Sequence, residues 1–467
     1  MLNTPRPEED RAFGSADRGT VPFGGRTPFR RFLGVAGPAY LVSVGYMDPG
    51  NWATDVAGGS QFAYTLLWVV LLSSLMATLL QTLCVRMGIA MDKDLAEACR
   101  DSYPRPVARV LWLLAEIGII ACDVAEVVGS AVALNLLFGL NLILGVLLTG
   151  FDVLFLLGAI RFGFRKIEGL VILFIGAIVV CFCFNLALAH PDWGAALTGL
   201  VTPRVPNTGA LLVAVGILGA TVMPHNLYLH SSLVQTRKIE NTEPAKAEAI
   251  RLATWDTVIA LSGAFFVNAA ILILAASVFQ GKRVDDLRDA YRLITVHPAL
   301  GGVAAAVFAI ALLASGQSST ITGTLAGQVV MEGFLRLRIS PWMRRVVTRC
   351  LALIPALVLI GWSGEKTNDL LVFSQIVLSA QLPFAVIPLV MLTSDRKHMG
   401  RFVSAPWLTV LAYGVAALIL GTNLSLLALE LGIGWVIALF AVIGAFALWV
   451  RYGYRRPAED ERRSDAA

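Results

Sequence analysis

The strongest constraint in this sequence is a helix-breaking heptapeptide, Gly45-Tyr46-Met47-Asp48-Pro49-Gly50-Asn51, set inside an apolar run that begins near Phe32. Pro49 lacks a backbone N–H and its ring clashes with the preceding turn, and Gly50 tolerates almost any backbone angle. A membrane helix over this run must therefore break here. A break at bilayer depth leaves carbonyls without donors, which is tolerable only where they face protein or a water-filled cavity. Asp48 and Asn51 flank the break. A carboxylate at that depth is costly and points to function. A simple proline kink, with Asp48 paired to a buried cation, is the bland alternative.

A second stretch weighs against that alternative. Ala220-Thr221-Val222-Met223-Pro224-His225-Asn226 interrupts another apolar run, from Leu211 to about Leu233. At one constant offset (223 − 48 = 175), Asp48 falls on Met223, Pro49 on Pro224 and Asn51 on Asn226. Interrupted helices at corresponding positions of two halves are the best sequence pointer to a transporter's central site.

Between them the breaks offer one carboxylate (Asp48), one amide (Asn51), one thioether (Met223) and freed carbonyls, expected at Gly45 and Ala220. Carboxylate and carbonyl oxygens suit a divalent cation, and the sulfur tilts the set toward Mn²⁺, Fe²⁺, Co²⁺ or Cd²⁺ and away from Ca²⁺ and Mg²⁺. Met223 alone would be read as core packing; opposite Asp48 at a second break, it reads as a ligand.

Asp-Pro-Gly-Asn in a first helix with Met-Pro-His in a sixth resembles the Nramp (natural resistance-associated macrophage protein) family of proton-coupled divalent-metal transporters, bacterial manganese type. The resemblance runs from about Phe32 to about residue 400. It implies an all-α, polytopic membrane protein with a leucine-transporter-like inverted repeat of five plus five helices and about two additional C-terminal helices. It maps Asp48, Asn51, Met223 and the Ala220 carbonyl onto the family's metal ligands. Gln375, in Phe373-Ser374-Gln375, maps onto a further, state-dependent ligand, and Asp123 and Glu126 map onto the proton route.

The third helix carries Glu116, Asp123 and Glu126, whose spacings of seven and three place them on one face. Three acids on a buried face line a water path or pair with cations. They can pass protons from Asp48, or form a static ion-pair network. Arg344 and Arg345, at the start of the ninth helix, are the expected partners. His225 is expected beside the site, tuning protonation or gating, and His230 either relays protons or is a hydrogen-bonded structural residue. Pro49, Gly50 and Pro224 shape the gate. Asp152 in the fourth helix has no nameable partner, and Gly316-Gln317-Ser318-Ser319 makes the eighth helix polar, either lining the path or bonding across helices.

Composition agrees with a membrane protein. Of 467 residues, 57% are hydrophobic and 15% charged, against roughly 25% charged in soluble domains. At about 20 apolar residues per crossing, helices are expected near 32–57, 63–89, 107–136, 141–160, 168–189, 209–235, 252–279, 300–335, 344–362, 369–393, 405–428 and 432–452. Residues 1–31 and 456–467 read as disordered tails, 32–190 and 209–393 as two repeats inverted because five is odd, and 405–452 as the additional pair. The basic residues fall in alternate loops, which places both termini in the cytoplasm, of a bacterial inner membrane. The net charge of +5 thus implies no nucleic acid. The six cysteines lie in helices or on the cytoplasmic side, so no disulfide is expected.

Protease, nucleotide-loop and nucleophile-elbow motifs are absent in suitable context, so the chain reads as no enzyme and needs no resident cofactor. Its partners are the metal ions, protons and lipid, with no obligatory protein partner. The leading expectation is import of Mn²⁺, with Fe²⁺ beside it, coupled to protons. The alternatives are a sodium-coupled amino-acid carrier of the same fold and a metal-permeable channel. Asp48 weighs against the carrier, because it would repel a substrate carboxylate.

Overall fold

In the computed structural model the described residues are 18–19, 21–22, 28–150, 164–282, 284, 286–336, 341–363 and 367–450. Among them every regular element is helical except for one short two-stranded pairing. The first crossing comes in pieces: α1 (Pro28–Val35), α2 (Pro38–Gly45) and α3 (Pro49–Phe62). Each piece starts at a proline, whose missing N–H costs nothing in a first turn. A short 3₁₀ turn leads into α4 (Leu67–Met91), then come α5 (Leu95–Ser102), α6 (Arg105–Phe138), α7 (Leu142–Gly150) and α8 (Phe164–Ala189). After α9 (Trp193–Val201), the second broken pair is α10 (Thr208–Thr221) and α11 (Pro224–Leu233). The chain continues with α12 (Glu243–Val278), α13 (Leu287–Val296), α14 (Gly301–Leu335), α15 (Pro341–Ser363), α16 (Thr367–Gln381), α17 (Pro383–Ser394), α18 (Pro406–Leu431) and α19 (Ile433–Leu448).

Eight described stretches are long and apolar enough to cross a membrane, where twelve crossings were expected. One of the eight, Pro49–Met91, joins two of the expected helices end to end. The expected 141–160 helix runs into residues 151–163, which lie outside the described residues together with Asp152. Pro341–Ser363 starts with basic residues, and Ile433–Leu448 has only 16 residues. Three short helices, α5, α9 and α13, fall where loops were expected. Each is amphipathic or capped by an Asp side chain: Asp94 with Glu97 in a reciprocal capping box, Asp192 on Ala195 and Asp286 on Arg288. Each such cap contributes about 1 kcal/mol.

Part of the segment expected to be disordered is ordered. Val21–Pro22 pairs in parallel with Arg237–Lys238, Gly19 N–H donates to Gln235 O at 2.9 Å, and Arg18 reaches Glu97. Beyond α11 the backbone leaves the helix with unpaired polar groups, and the incoming strand satisfies them.

The core is built on α6 and α14, which pack along one another most extensively, with α3 lying against α12 and α10. Small residues permit the closest approaches. A side chain at Gly129 of α6 would overlap Pro49, and one at Gly316 would overlap Ser130. The polar patch of α14 is thus an inter-helix contact: Gln317 donates to Ser130 Oγ at 3.5 Å, and Ser315 Oγ donates to Met47 O.

At the α1–α2 junction, a buried clamp holds the chain. Arg237 pairs with Glu168 at 2.7 Å and donates to Val35 O and Ala36 O, while Asp256 accepts from Gly37 N and Ala39 N. Gly37 has a φ of 135°, and any side chain there would run into Glu168. Removing one member of such a buried pair costs about 3–5 kcal/mol.

Candidate metal site and polar path

In a continuous helix the carbonyl of residue i takes the N–H of residue i+4. At both breaks that residue is proline: Pro49 for Gly45 and Pro224 for Ala220. The two prolines therefore release the two carbonyls named from the sequence from their i+4 partners.

Asp48 becomes the N-cap of α3. Its Oδ1 accepts from Asn51 N–H at 2.8 Å and from Asn51 Nδ2 at 2.6 Å. The same amide nitrogen donates to Ala220 O at 3.1 Å. Asn51 thus ties the carboxylate of the first break to the freed carbonyl of the second. Asp48 Oδ2 is buried and accepts nothing among the described residues. Met223 is the N-cap residue of α11 and caps nothing with its side chain. Gln375, on α16, lies against Gly50, where any side chain would overlap its amide and approach Asp48 Oδ2 to 3.0 Å. The Gln375 Oε1 atom is likewise buried without a donor. Asp48, Asn51, Ala220, Met223 and Gln375 are therefore brought together, each almost completely buried.

Gly45 is placed differently. Its carbonyl accepts the Asp48 N–H at 3.3 Å, closing a turn. The neighbouring carbonyls are consumed: Tyr46 O by Asn268 at 2.8 Å, Met47 O by Trp52 at 3.1 Å and by Ser315. Asn226, aligned with Asn51 in the sequence but given no role there, lies beside Gly45 and donates to Met223 Sδ at 3.7 Å. Asn51 bonds across to the other break, whereas Asn226 lies against the first break but bonds within its own. Among the described residues no group of three or more His, Cys, Asp or Glu could hold a metal. A cation at the breaks would be met by one carboxylate and a ring of neutral donors.

A polar path leads from the second break into α6. His225 Nε2 lies 3.8 Å from Cys122 Sγ, which donates to Glu126 Oε1 at 3.6 Å. Glu126 and Asp123 converge on Gly323 of α14, where an added Cβ would sit 3.1 Å from an oxygen of each. Cys122 was not singled out in the sequence; its i, i+4 spacing to Glu126 is the signal that would have found it.

The side chains of Arg344 and Arg345 lie outside the described residues. The buried guanidinium on α15 that acts on Glu126 is Arg349, one turn further on, which also donates to Thr149 O at 2.8 Å. Glu116 stands apart, half-buried and bonded by Trp112 Nε1 at 3.1 Å. His230 belongs to a separate network, with its Nδ1 2.9 Å from Gln81 Oε1 and Gln81 donating to Tyr46 Oη at 2.7 Å.

The family profile described as Nramp, natural resistance-associated macrophage protein-like, matches residues 39–429. The divalent metal cation transporter MntH of a Nostoc species is 54% identical over 416 residues, covering 88% of this chain and 93% of its own length. MntH of Xanthomonas campestris is 55% identical over 415 residues, covering 87% and 93%. Among solved structures, a manganese transporter of Eremococcus coleocola is 38% identical, with a TM-score of 0.86 over 94% of this chain and 99% of its own. Mhp1, a nucleobase-cation-symport-1 family transporter, is 15% identical, with a TM-score of 0.56 over 98% of each chain, a likeness of fold alone.

Proposed function

We propose, from the premise that this chain belongs to the Nramp family and is a multi-pass membrane protein of the leucine-transporter-like fold, that it imports Mn²⁺ with protons by alternating access. Fe²⁺, Co²⁺ and Cd²⁺ are further substrates. It is a carrier with no reaction of its own to catalyse, and the metal is its cargo. One observation carries the reading: Asn51 joins Asp48 of one broken helix to the Ala220 carbonyl of the other, leaving Asp48 Oδ2 buried near the Gln375 amide with no hydrogen-bond partner among the described residues.

The chemistry follows from those atoms. A divalent cation satisfies the free carboxylate oxygen and takes further oxygens from Ala220, Asn51 and Gln375. Met223 supplies a polarisable sulfur that Mn²⁺ and Cd²⁺ tolerate better than Ca²⁺ or Mg²⁺. With one carboxylate the loaded site keeps a positive charge, which favours release of a nearby proton. His225, Cys122, Glu126 and Asp123 form the route for that proton, with Arg349 stabilising the carboxylates when they ionise. The basic loops place both termini in the cytoplasm of a bacterial inner membrane. The Arg237–Glu168–Asp256 clamp then closes the cytoplasmic side.

The test is uptake by purified protein in liposomes. The reading expects saturable Mn²⁺ uptake, faster with an inward proton gradient and indifferent to sodium. Sodium-dependent uptake of an amino acid, or non-saturating metal flux, would overturn it.

A further inference from the structure

Asp55 has no part in the site described above. It lies on α3, seven residues beyond Asp48, which in a helix is about 10.5 Å along the axis and nearly the same face. It is 1% exposed, and its Oδ2 finds no hydrogen-bond partner among the described residues. The charge that bears on it is Asp48's own. The parts of α10 and α12 that meet α3 around it, near Gly216, Ile217 and Leu272, carry no counter-charge: residues 208–221 and 257–278 contain no Lys, Arg or His, and Lys246 and Arg251 of α12 lie in its first turns. Gly59, one turn further along, abuts the backbone of α12 so closely that any side chain would strike Leu272 O. Beyond, where α3 ends, a cavity of about 890 Å³ opens between Ser60, Gln61, Thr65 and Gln280, with Lys282 as the one charged residue of its lining.

A buried carboxylate without counter-ion or donor is costly and contributes nothing to packing that Asn or Leu would not. Its place between an open cavity and the carboxylate of the metal site gives it a use. We propose that Asp55 is a second cation-binding carboxylate, a way station that a divalent cation meets between this cavity and Asp48. The inference rests on the cation-transport reading and adds a stage to it. It makes the route asymmetric, because an ion approaching from the cavity end of α3 passes Asp55 before Asp48 and an ion approaching from the other end does not.

The experiment measures Mn²⁺ flux in both directions across liposomes holding protein of one orientation. Asp55→Asn is expected to raise the KM for Mn²⁺ offered on the cavity side about tenfold, the scale of one carboxylate acting at that distance. The KM from the opposite side and kcat should stay within about twofold. Asp55→Glu should restore the cavity-side KM to within about threefold. If Asp55→Asn fails to insert, Asp55→Ser carries the same comparison. Equal changes from both sides, or none, would overturn the proposal and leave Asp55 a structural residue. Should the unmodified protein move no Mn²⁺ at all, the fault would lie with the transport reading itself.

Discussion

The two broken helices use one backbone device for two different ends. Each places a proline four residues after the carbonyl it releases, and each puts an asparagine where it can reach the opposite break. Beyond that they diverge. The first break is charged and braced: Asp48 caps its own helix, and Asn268, Trp52 and Ser315 hold the neighbouring carbonyls. The second is neutral and lightly held, with Met223 leaving its helix uncapped and Asn51 reaching in from outside. A repeat alone would give two similar half-sites. On the proposed reading, affinity belongs to the first break and discrimination to the second.

That division can be broken by substitution, and metal affinity ranks the expected effects. Asp48→Ala should abolish Mn²⁺ and Cd²⁺ binding measured by calorimetry, because it removes the only formal charge at the breaks; near-normal uptake would sink the site. Asn51→Leu leaves Ala220 O without its donor, at about 1–3 kcal/mol, and leaves Asp48 Oδ1 with only the backbone N–H of residue 51. It should cost about tenfold or more in Mn²⁺ affinity. Asn226→Leu touches only the Met223 sulfur and the Gly45 turn and should cost less than about fivefold. Equal losses would erase the asymmetry.

Met223→Ala should shift selectivity by about 1–3 kcal/mol, with modest loss of Mn²⁺ uptake, greater loss of Cd²⁺ affinity and new competition by Ca²⁺. The check is uptake of each ion at matched protein levels. Glu126→Gln should scarcely touch metal affinity while weakening proton co-movement, read with a pH-sensitive dye inside the liposomes. Lost metal binding with intact proton flux would reverse the roles assigned here.

Much of this was legible in the sequence because it depends on local covalent facts. A proline within an apolar run breaks a helix whatever surrounds it, so Asp48, Asn51, Ala220 and Met223 could be named from spacing and family resemblance together. Gly45 shows the limit: its carbonyl is released by Pro49, as expected, but is taken up by a turn that only the three-dimensional path reveals. Cys122, Asn226 and Arg349 were missed because their roles are set by what lies across the helix interface, which periodicity on one helix does not report. Asp55 was missed although its spacing from Asp48 is visible, because an acid's lack of counter-charge emerges only once its packing partners are known.

On the proposed reading the two breaks close one cation site, carboxylate on one side and sulfur on the other. X-ray absorption on Cd²⁺ bound to the purified protein tests this. The expected result is an oxygen-rich coordination shell with one sulfur neighbour, the sulfur lost in Met223→Ala and binding itself lost in Asp48→Ala. An all-oxygen shell, unchanged between the protein and its Met223→Ala variant, would contradict it.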